Sequence, residues 1–285
     1  MANYQNAKEL IKLTLGKQTN YTSEYNSDLL QAVPRKLNRD DLALKNNCLP
    51  FKGEDVWYGY ELSWLNNKGK PIVAVAEFRF PCTSPNLVES KSFKLYLNSF
   101  NQTKFDSWQD VKNILITDLS FTSGVTADVN LYKVDQCPAL EISDIEANCI
   151  DDLDVTIDNY DYDYQKDLLK GIQKLGTDNK EEFVVSHLLK SNCLITNQPD
   201  WASVYISYKG AQLNHEILLK YIISFRQHNE FHEQCVERIF TDIISFCNLE
   251  QLTVFARYTR RGGLDINPFR STTEQTAPNL RTLRQ

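Results

Sequence analysis

The stretch Ser191-Asn192-Cys193-Leu194-Ile195-Thr196-Asn197-Gln198-Pro199-Asp200-Trp201 sets a cysteine and an aspartate seven positions apart in polar surroundings. Most reduced cysteines are small apolar fillers, and that reading stands for Cys193 taken alone. Pro199 fixes the chain just before Asp200, so the loop can fold back with a carboxyl group facing the sulfur. A thiol nucleophile and its acid/base partner need that pairing. A helical pattern over 181–190 precedes the loop, and an alternating pattern over 201–208 follows it.

Three further stretches carry chemistry. His228-Asn229-Glu230-Phe231-His232-Glu233-Gln234-Cys235 opens the last long helical pattern. His228 and His232 are four apart and share a helix face, so a metal site is one reading, although the order is not H-E-x-x-H. Histidines with a capping or core role are a second. The third sets His232 and Glu233 in a cleft at a helix N-terminus. There the imidazole can move a proton, and the carboxylate can accept hydrogen bonds from an amidine-like edge of a heterocycle.

Glu89-Ser90-Lys91-Ser92-Phe93-Lys94-Leu95-Tyr96 opens a helix in the first half, and its charge spacing alone describes a solvated face with i,i+3 pairs. Arg257-Tyr258-Thr259-Arg260-Arg261-Gly262-Gly263 ends a strand. Its cationic forks beside glycine N–H groups suit a phosphate, and an exposed basic turn would read the same way. No glycine belongs to a G-x-G-x-x-G or Walker A loop, so any nucleotide is held without a Rossmann domain.

These groups need a frame. The chain has 285 residues, 42% of them hydrophobic, with only 10 Gly and 9 Pro. That is enough for about two modules with cores of their own, and it excludes a fibrous or disordered chain. Thirty-one basic against 37 acidic residues give a net charge of -6, which excludes a strongly basic nucleic-acid coat. Seven cysteines without C-x-x-C spacing fit neither a disulfide framework nor a zinc ribbon, and reduced thiols in a cytoplasm are expected. The N-terminus lacks the order of a signal peptide, and the longest apolar run is Ile72 to Ala76, so no membrane segment is expected.

Alternation from Val56 to Trp64, the turn Asn66-Asn67-Lys68-Gly69 and the Val- and Phe-rich return to Phe80 describe a hairpin. Helical spacing follows over 92–100 and 108–119, then alternation over 125–134. The second half repeats this order, with a strand over 201–208, helical patterns over 213–225 and 231–246, and a strand over 252–258. An offset of 125 positions aligns Tyr96 with Tyr221, Ser99 with Ser224, Phe100 with Phe225 and Gln102 with Gln227. The reading is an α+β chain built from a duplicated module, with helix pairs packed on one face of antiparallel sheets. Open sheets leave edges, so fusing two copies and dimerising to close a barrel is expected.

The expected divisions are an N-terminal arm (1–50), a first module (51–145), a connecting segment (146–180), a second module (181–270) and a flexible tail (271–285). An amphipathic stretch at 7–15 lies in the arm. The connecting segment carries Asp151, Asp152, Asp154, Asp158, Asp161 and Asp163 without the glycine and terminal glutamate of a calcium loop, and reads as a solvated linker with an edge strand.

Together these stretches resemble the nitrile reductases of queuosine biosynthesis, the NADPH-dependent 7-cyano-7-deazaguanine reductase family in its long two-module form. Glu89 to Tyr96 matches in full the signature that separates those reductases from the GTP cyclohydrolase I enzymes. Leu15-Gly16-Lys17, Val33-Pro34-Arg35, Leu62 to Leu65, Leu97 to Thr103, Cys149 to Asp152, Ser186 to Cys193 and Gly262 to Pro268 extend the likeness over nearly the whole chain.

The resemblance implies tandem tunnelling-fold (T-fold) modules, a cytoplasmic homodimer, NADPH as cofactor, no metal, and a small deazapurine substrate with no direct nucleic-acid partner. It implies that Cys193 attacks the nitrile carbon to give a covalent thioimidate, with Asp200 as proton donor and His232 as proton source in a later step. Val88, Glu89, Ser90, His232 and Glu233 would bind the deazaguanine, and Ser90, Lys91, Arg261 and Gly262 would hold NADPH. Because an ionised Asp200 would raise the thiol pKa, Asp200 is expected to be protonated when substrate binds. Two other readings stand beside this one: a metal-dependent purine hydrolase of the cyclohydrolase kind with His228, His232 and Cys235 as ligands, and a non-catalytic purine-binding module.

Overall fold

One eight-stranded sheet runs through the computed structural model, which describes residues 7–11, 13, 21–45, 48–136, 141–143, 145–160, 164–174 and 179–285. Ahead of the sheet lie a short helix α1 (Lys8–Ile11), strand β1 (Ala32–Pro34) and helix α2 (Lys36–Asp41). The expected hairpin follows as β2 (Lys52–Leu65) and β3 (Pro71–Pro81), then β4 (Asn86–Val88), helices α3 (Ser90–Ser99) and α4 (Trp108–Ser123), and β5 (Asp128–Tyr132). A two-residue strand β6 (Asn148–Cys149) leads to β7 (Asn179–Asn192) and β8 (Pro199–Ala211). Helices α5 (His215–Ser224) and α6 (His232–Phe246) and strands β9 (Leu249–Tyr258) and β10 (Leu264–Ser271) complete the chain order. Leu15-Gly16-Lys17, Cys137, Asp161 and Asp163 fall outside the described residues.

The sheet order is β5-β3-β2-β10-β9-β8-β7-β6, antiparallel except for the edge pair β6–β7. The second half therefore adds its last strand, β10, beside the first strand of the first half. Helix pairs cover one face in two cores. Trp57, Phe78 and Ile266 meet Phe93, Tyr96 and Val111 in the first, and Val204, Val254 and Tyr258 meet Tyr221, Val236 and Ile239 in the second.

One of the expected helices is absent. The pattern over 181–190 is not a helix; it lies in β7, paired with β8 at twelve register positions. Its apolar residues Phe183, Val184, Val185, Leu188 and Leu189 satisfy either period, and the ladder to β8 decides between them.

The residues matched by the offset make the same bonds in both halves. Tyr96 Oη donates to Asp118 Oδ2 at 2.7 Å, and Tyr221 Oη donates to Asp242 Oδ2 at 2.8 Å. Ser99 Oγ and Ser224 Oγ each donate to the carbonyl three residues back at 2.6 Å. Glu89 and Asn214 cap α3 and α5 through side-chain oxygens that accept from two amides each. The repeat is thus chemical as well as topological.

Residues 271–285, expected as a flexible tail, lie on the sheet face away from the helices. Ala277 joins Val56, Tyr58, Tyr205 and Phe255 there, with its N–H donating to Glu54 Oε1 at 2.7 Å. Gln285 Nε2 donates to Asn267 Oδ1 at 2.6 Å. The arm is tied down as well: β1 pairs with β4, and Arg39 of α2 reaches Glu237 of α6 at 2.8 Å. Among the described residues no helix is long and apolar enough to cross a membrane.

Tyr221 is fully buried, and its hydroxyl is a donor to the buried Asp242 carboxylate. Tyr221→Phe should lower the unfolding free energy in urea by about 1.5–3 kcal/mol, the range for a hydrogen bond to a charged group. An unchanged midpoint would show that the shared bond pattern adds nothing to stability.

Candidate active site

β7 ends at Asn192 and β8 starts at Pro199 in register, so residues 193–198 form the loop of a hairpin. Cys193 N–H donates to Gln198 O at 2.8 Å and Asn197 N–H to Cys193 O at 3.0 Å, which closes the loop on itself. Asn197 takes a left-handed φ of 56°, a conformation that asparagine tolerates. Asn229 Nδ2 donates to Asn197 Oδ1 at 2.9 Å and to Cys193 O at 3.3 Å. Asn192 N–H donates to His228 O at 2.8 Å, and Glu230 N–H donates to Asn192 O at 3.0 Å. The loop is thereby pinned to the segment that opens α6.

Cys193, Asp200, His232, Glu233 and Arg261 of the second half meet Val88 and Ser90 of the first around one narrow cavity. Trp57 and Ile266, neighbours across the β2–β10 pairing, also line it. Cys193 is 5% exposed and packs with Leu10 and Leu13 of the arm, Val33, Leu87 and Phe231. The arm thus packs against the thiol, which still borders the cavity.

The two carboxyl groups of this cavity have opposite settings. Asp200 Oδ1 lies 2.8 Å from Arg261 Nη2 and 3.4 Å from His232 Nε2. Burial pushes the Asp200 carboxyl up, but His232, Arg261 and Lys94 outweigh it and hold the group below the usual carboxylate range. The free site thus favours an ionised Asp200, while the expected protonated acid belongs to the substrate-bound state. His232 is fixed edge-on against Tyr258, ring centroids 4.2 Å apart.

Glu233, in the first turn of α6, is 3% exposed. Burial, and then the nearby Asp55 charge, push its carboxyl up to about 7. Beneath it lies a buried ion network. Arg35 Nη2 pairs with Asp55 Oδ2 at 2.5 Å, Arg270 pairs with Asp55 and with Glu237 at 2.8 Å each, and Arg39 pairs with Glu237 at 2.8 Å. Glu237 sits one helical turn beyond Glu233 on α6.

Three expected contacts do not line the cavity: Glu89, Lys91 and Gly262. Glu89 is held as the cap of α3, its two oxygens accepting from Lys91 N–H at 2.7 Å and Ser92 N–H at 2.8 Å. Lys91 contributes that amide. Gly262, with φ 57°, lies where a Cβ would come within 3.2 Å of the Lys94 side chain.

An adjoining cavity is lined by Ser90, Lys94, His232, Thr259 and Arg261. Burial and the Arg261 charge push the Lys94 ammonium down. Two cations facing one small space fit a phosphate-bearing ligand. Sequence reading passed over Lys94, although its i,i+4 spacing from Ser90 puts the two on one helix face. It also passed over Glu230, which lines the main cavity while paired with Arg238 at 2.8 Å and bonded to His228 at 3.0 Å. Despite full burial, Arg238 and His228 bring the Glu230 carboxyl down to about 2.

The proposed hydrolase ligands do not assemble. His228 is engaged with Glu230, His232 lies against Asp200, and the Cys235 thiol is fully buried and pushed up by that burial. Among the described residues they form no group of three potential metal ligands.

Comparison with known proteins accords with this geometry. Residues 21–131 match the family described as nitrile reductase, 7-cyano-7-deazaguanine reductase N-terminal domain, and residues 199–277 match the QueF-like protein family. The chain is 68% identical, over 288 residues and the full length of both proteins, to an NADPH-dependent 7-cyano-7-deazaguanine reductase of Colwellia psychrerythraea strain 34H.

The Glu233 setting has a measurable sign. With its folded pKa raised to about 7 from 4.5, the folded chain holds a proton that the unfolded chain releases across that window. Raising the pH from about 4.5 to about 7 should therefore remove stability, on the order of 2–3 kcal/mol. Chemical denaturation of Glu233→Gln over the same window should give a flatter profile, and an equal slope in both proteins would assign the titration to another group.

Proposed function

This chain belongs to the 7-cyano-7-deazaguanine reductase family, and from its site we propose how it carries out the NADPH-dependent, four-electron reduction of the nitrile of 7-cyano-7-deazaguanine to 7-aminomethyl-7-deazaguanine in queuosine biosynthesis. The observation that carries the proposal is the meeting of Cys193, Asp200, His232 and Glu233 around a single cavity.

Glu233 anchors the purine. An ionised carboxylate accepts from the ring N–H and the exocyclic amine of a guanine-type edge, whereas adenine presents a ring acceptor there. Val88 and Ser90 close the same cavity from the first half.

Asp200 begins ionised, takes the Cys193 thiol proton and so releases a thiolate. The sulfur attacks the nitrile carbon, one C–N π bond gives way to a C–S bond, and Asp200 returns the proton to the nitrogen. The product is a neutral thioimidate with Asp200 ionised again, so the thiol has added across the triple bond without a change in net charge. Arg261 and His232, at 2.8 and 3.4 Å, steady the carboxylate through both transfers.

NADPH, when bound, supplies hydride equivalents, two per substrate. Ser90, Lys94 and Arg261 would hold its phosphates, with Gly262 against the Lys94 side chain and Lys91 as a further contact proposed from the family resemblance. On the return path the sulfur leaves carbon, and His232 supplies a proton to the nitrogen that becomes the amine.

The proposal includes a homodimer and a cytoplasmic location. β5 and β6 end the sheet, each with one strand neighbour, and pairing two copies would cover those edges. A reducing compartment keeps the thiol available.

Incubating the full chain with 7-cyano-7-deazaguanine and no NADPH should raise its intact mass by one whole substrate, since addition expels no atom. Cys193→Ala should form no adduct. Asp200→Asn should slow adduct formation by about 10²–10⁴-fold. An adduct of equal yield in Cys193→Ala would overturn the assignment of the sulfur.

A further inference from the structure

The edge of the second half brings together a thiol, a carboxylate and an imidazole that the reduction does not use. Cys149 ends β6, Asp151 follows two residues later, and His187 stands in the irregularity of β7 between Ser186 and Leu189. Parallel pairing in the register Cys149↔Val185 carries the C-x-D segment alongside His187. The ligand atoms of these three side chains all lie within 4.8 Å of one another. None of the three lines the cavity that holds Cys193.

We propose that Cys149, Asp151 and His187 bind a borderline-soft divalent cation of the zinc type, with a fourth position open to water.

The surroundings of each donor support this. Asp151 Oδ2 accepts from His187 N–H at 2.9 Å, which fixes the carboxylate, while Oδ1 is buried with no hydrogen-bond partner. His187 Nδ1 lies 2.8 Å from Ser203 Oγ, which orients the ring and leaves Nε2 for coordination. Outer partners of this kind set the tautomer and direction of metal-binding histidines. The bulge supplies the direction, because two residues of β7 face one of β8 at that point.

The donor set selects the ion. Thiolate with imidazole suits zinc-like cations, whereas calcium and magnesium take oxygen ligands. Tetrahedral coordination needs donor atoms about 3.3–3.8 Å apart, so closure asks for shifts of about 1 Å. Cys149 is exposed and can make such a shift by side-chain rotation. Binding replaces the S–H bond with a sulfur–metal bond and releases the proton to solvent, with no change of oxidation state.

The test is a Co²⁺ titration of the full chain carrying Cys193→Ala, which removes the active-site thiol as a competing ligand, followed by displacement with Zn²⁺. One equivalent should bind, with a thiolate-to-cobalt charge-transfer band and the strong visible bands of a four-coordinate ion. Adding Cys149→Ser should abolish the charge-transfer band and weaken binding roughly 100-fold or more, and Ser203→Ala, which leaves all three ligands in place, should weaken it about tenfold. Absence of the band in the Cys193→Ala chain, or its persistence with unchanged affinity after Cys149→Ser, would overturn the site. Ser203→Ala keeps the test decisive should Cys149→Ser fail to fold: unchanged affinity there would remove His187 from the coordination.

Discussion

The antiparallel seam between β10 and β2 is the constraint on which the molecule depends. It runs from Leu264↔Gly59 to Ser271↔Lys52 and makes one sheet of two repeated halves. Without it, Val88 and Ser90 would not share a cavity with Cys193. Arg270 lies on this seam and pairs with Asp55 of β2 and with Glu237 of α6. Arg35 and Arg39 complete the network from the arm. Deleting one member of such a buried group strands a charge, at roughly 3–5 kcal/mol. A slip of one residue along β10 would turn Arg270 to the opposite face, so the network also fixes the register.

The seam delivers two carboxyl groups with opposite electrostatic settings to one small space. Asp200 has His232 and Arg261 beside it and is held below the usual carboxylate range, whereas burial and then the Asp55 charge push Glu233 up to about 7. Environment divides the labour between chemically similar groups: in the proposed mechanism one exchanges a proton with the thiol, and the other recognises the purine. The order of events follows from this division. In the proposed mechanism a carboxylate that starts ionised acts as a base before it acts as an acid, and the proton it later donates is the one the thiol gave up.

Duplication followed by divergence sets the site between two unlike halves. The two halves keep the same Tyr–Asp and Ser–carbonyl bonds, and their first helices are capped at equivalent positions by Glu89 and Asn214. Their loops differ, however. The hairpin loop of the second half holds Cys193, while that of the first holds Asn66-Asn67-Lys68-Gly69. A shared frame with unlike loops lets each half contribute a different wall to the cavity.

The sequence determined the α+β repeat, the hairpin at 52–81, the four long helices and the loop that joins Cys193 to Asp200, because each rests on periodicity or on residues close in the chain. Tertiary structure decided what depends on distant partners. The 181–190 segment became a strand because β8 pairs with it, and residues 271–285 settled on the sheet because β2 and β10 offered acceptors there. Lys94 displaced Lys91 at the cation-lined space because the direction of α3 chose between them. Above all, the charge states of Asp200 and Glu233 could not be read from their neighbours in sequence. A carboxyl group titrates according to the burial and charges around it in space, and Arg261, Lys94 and Asp55 arrive from elements far along the chain.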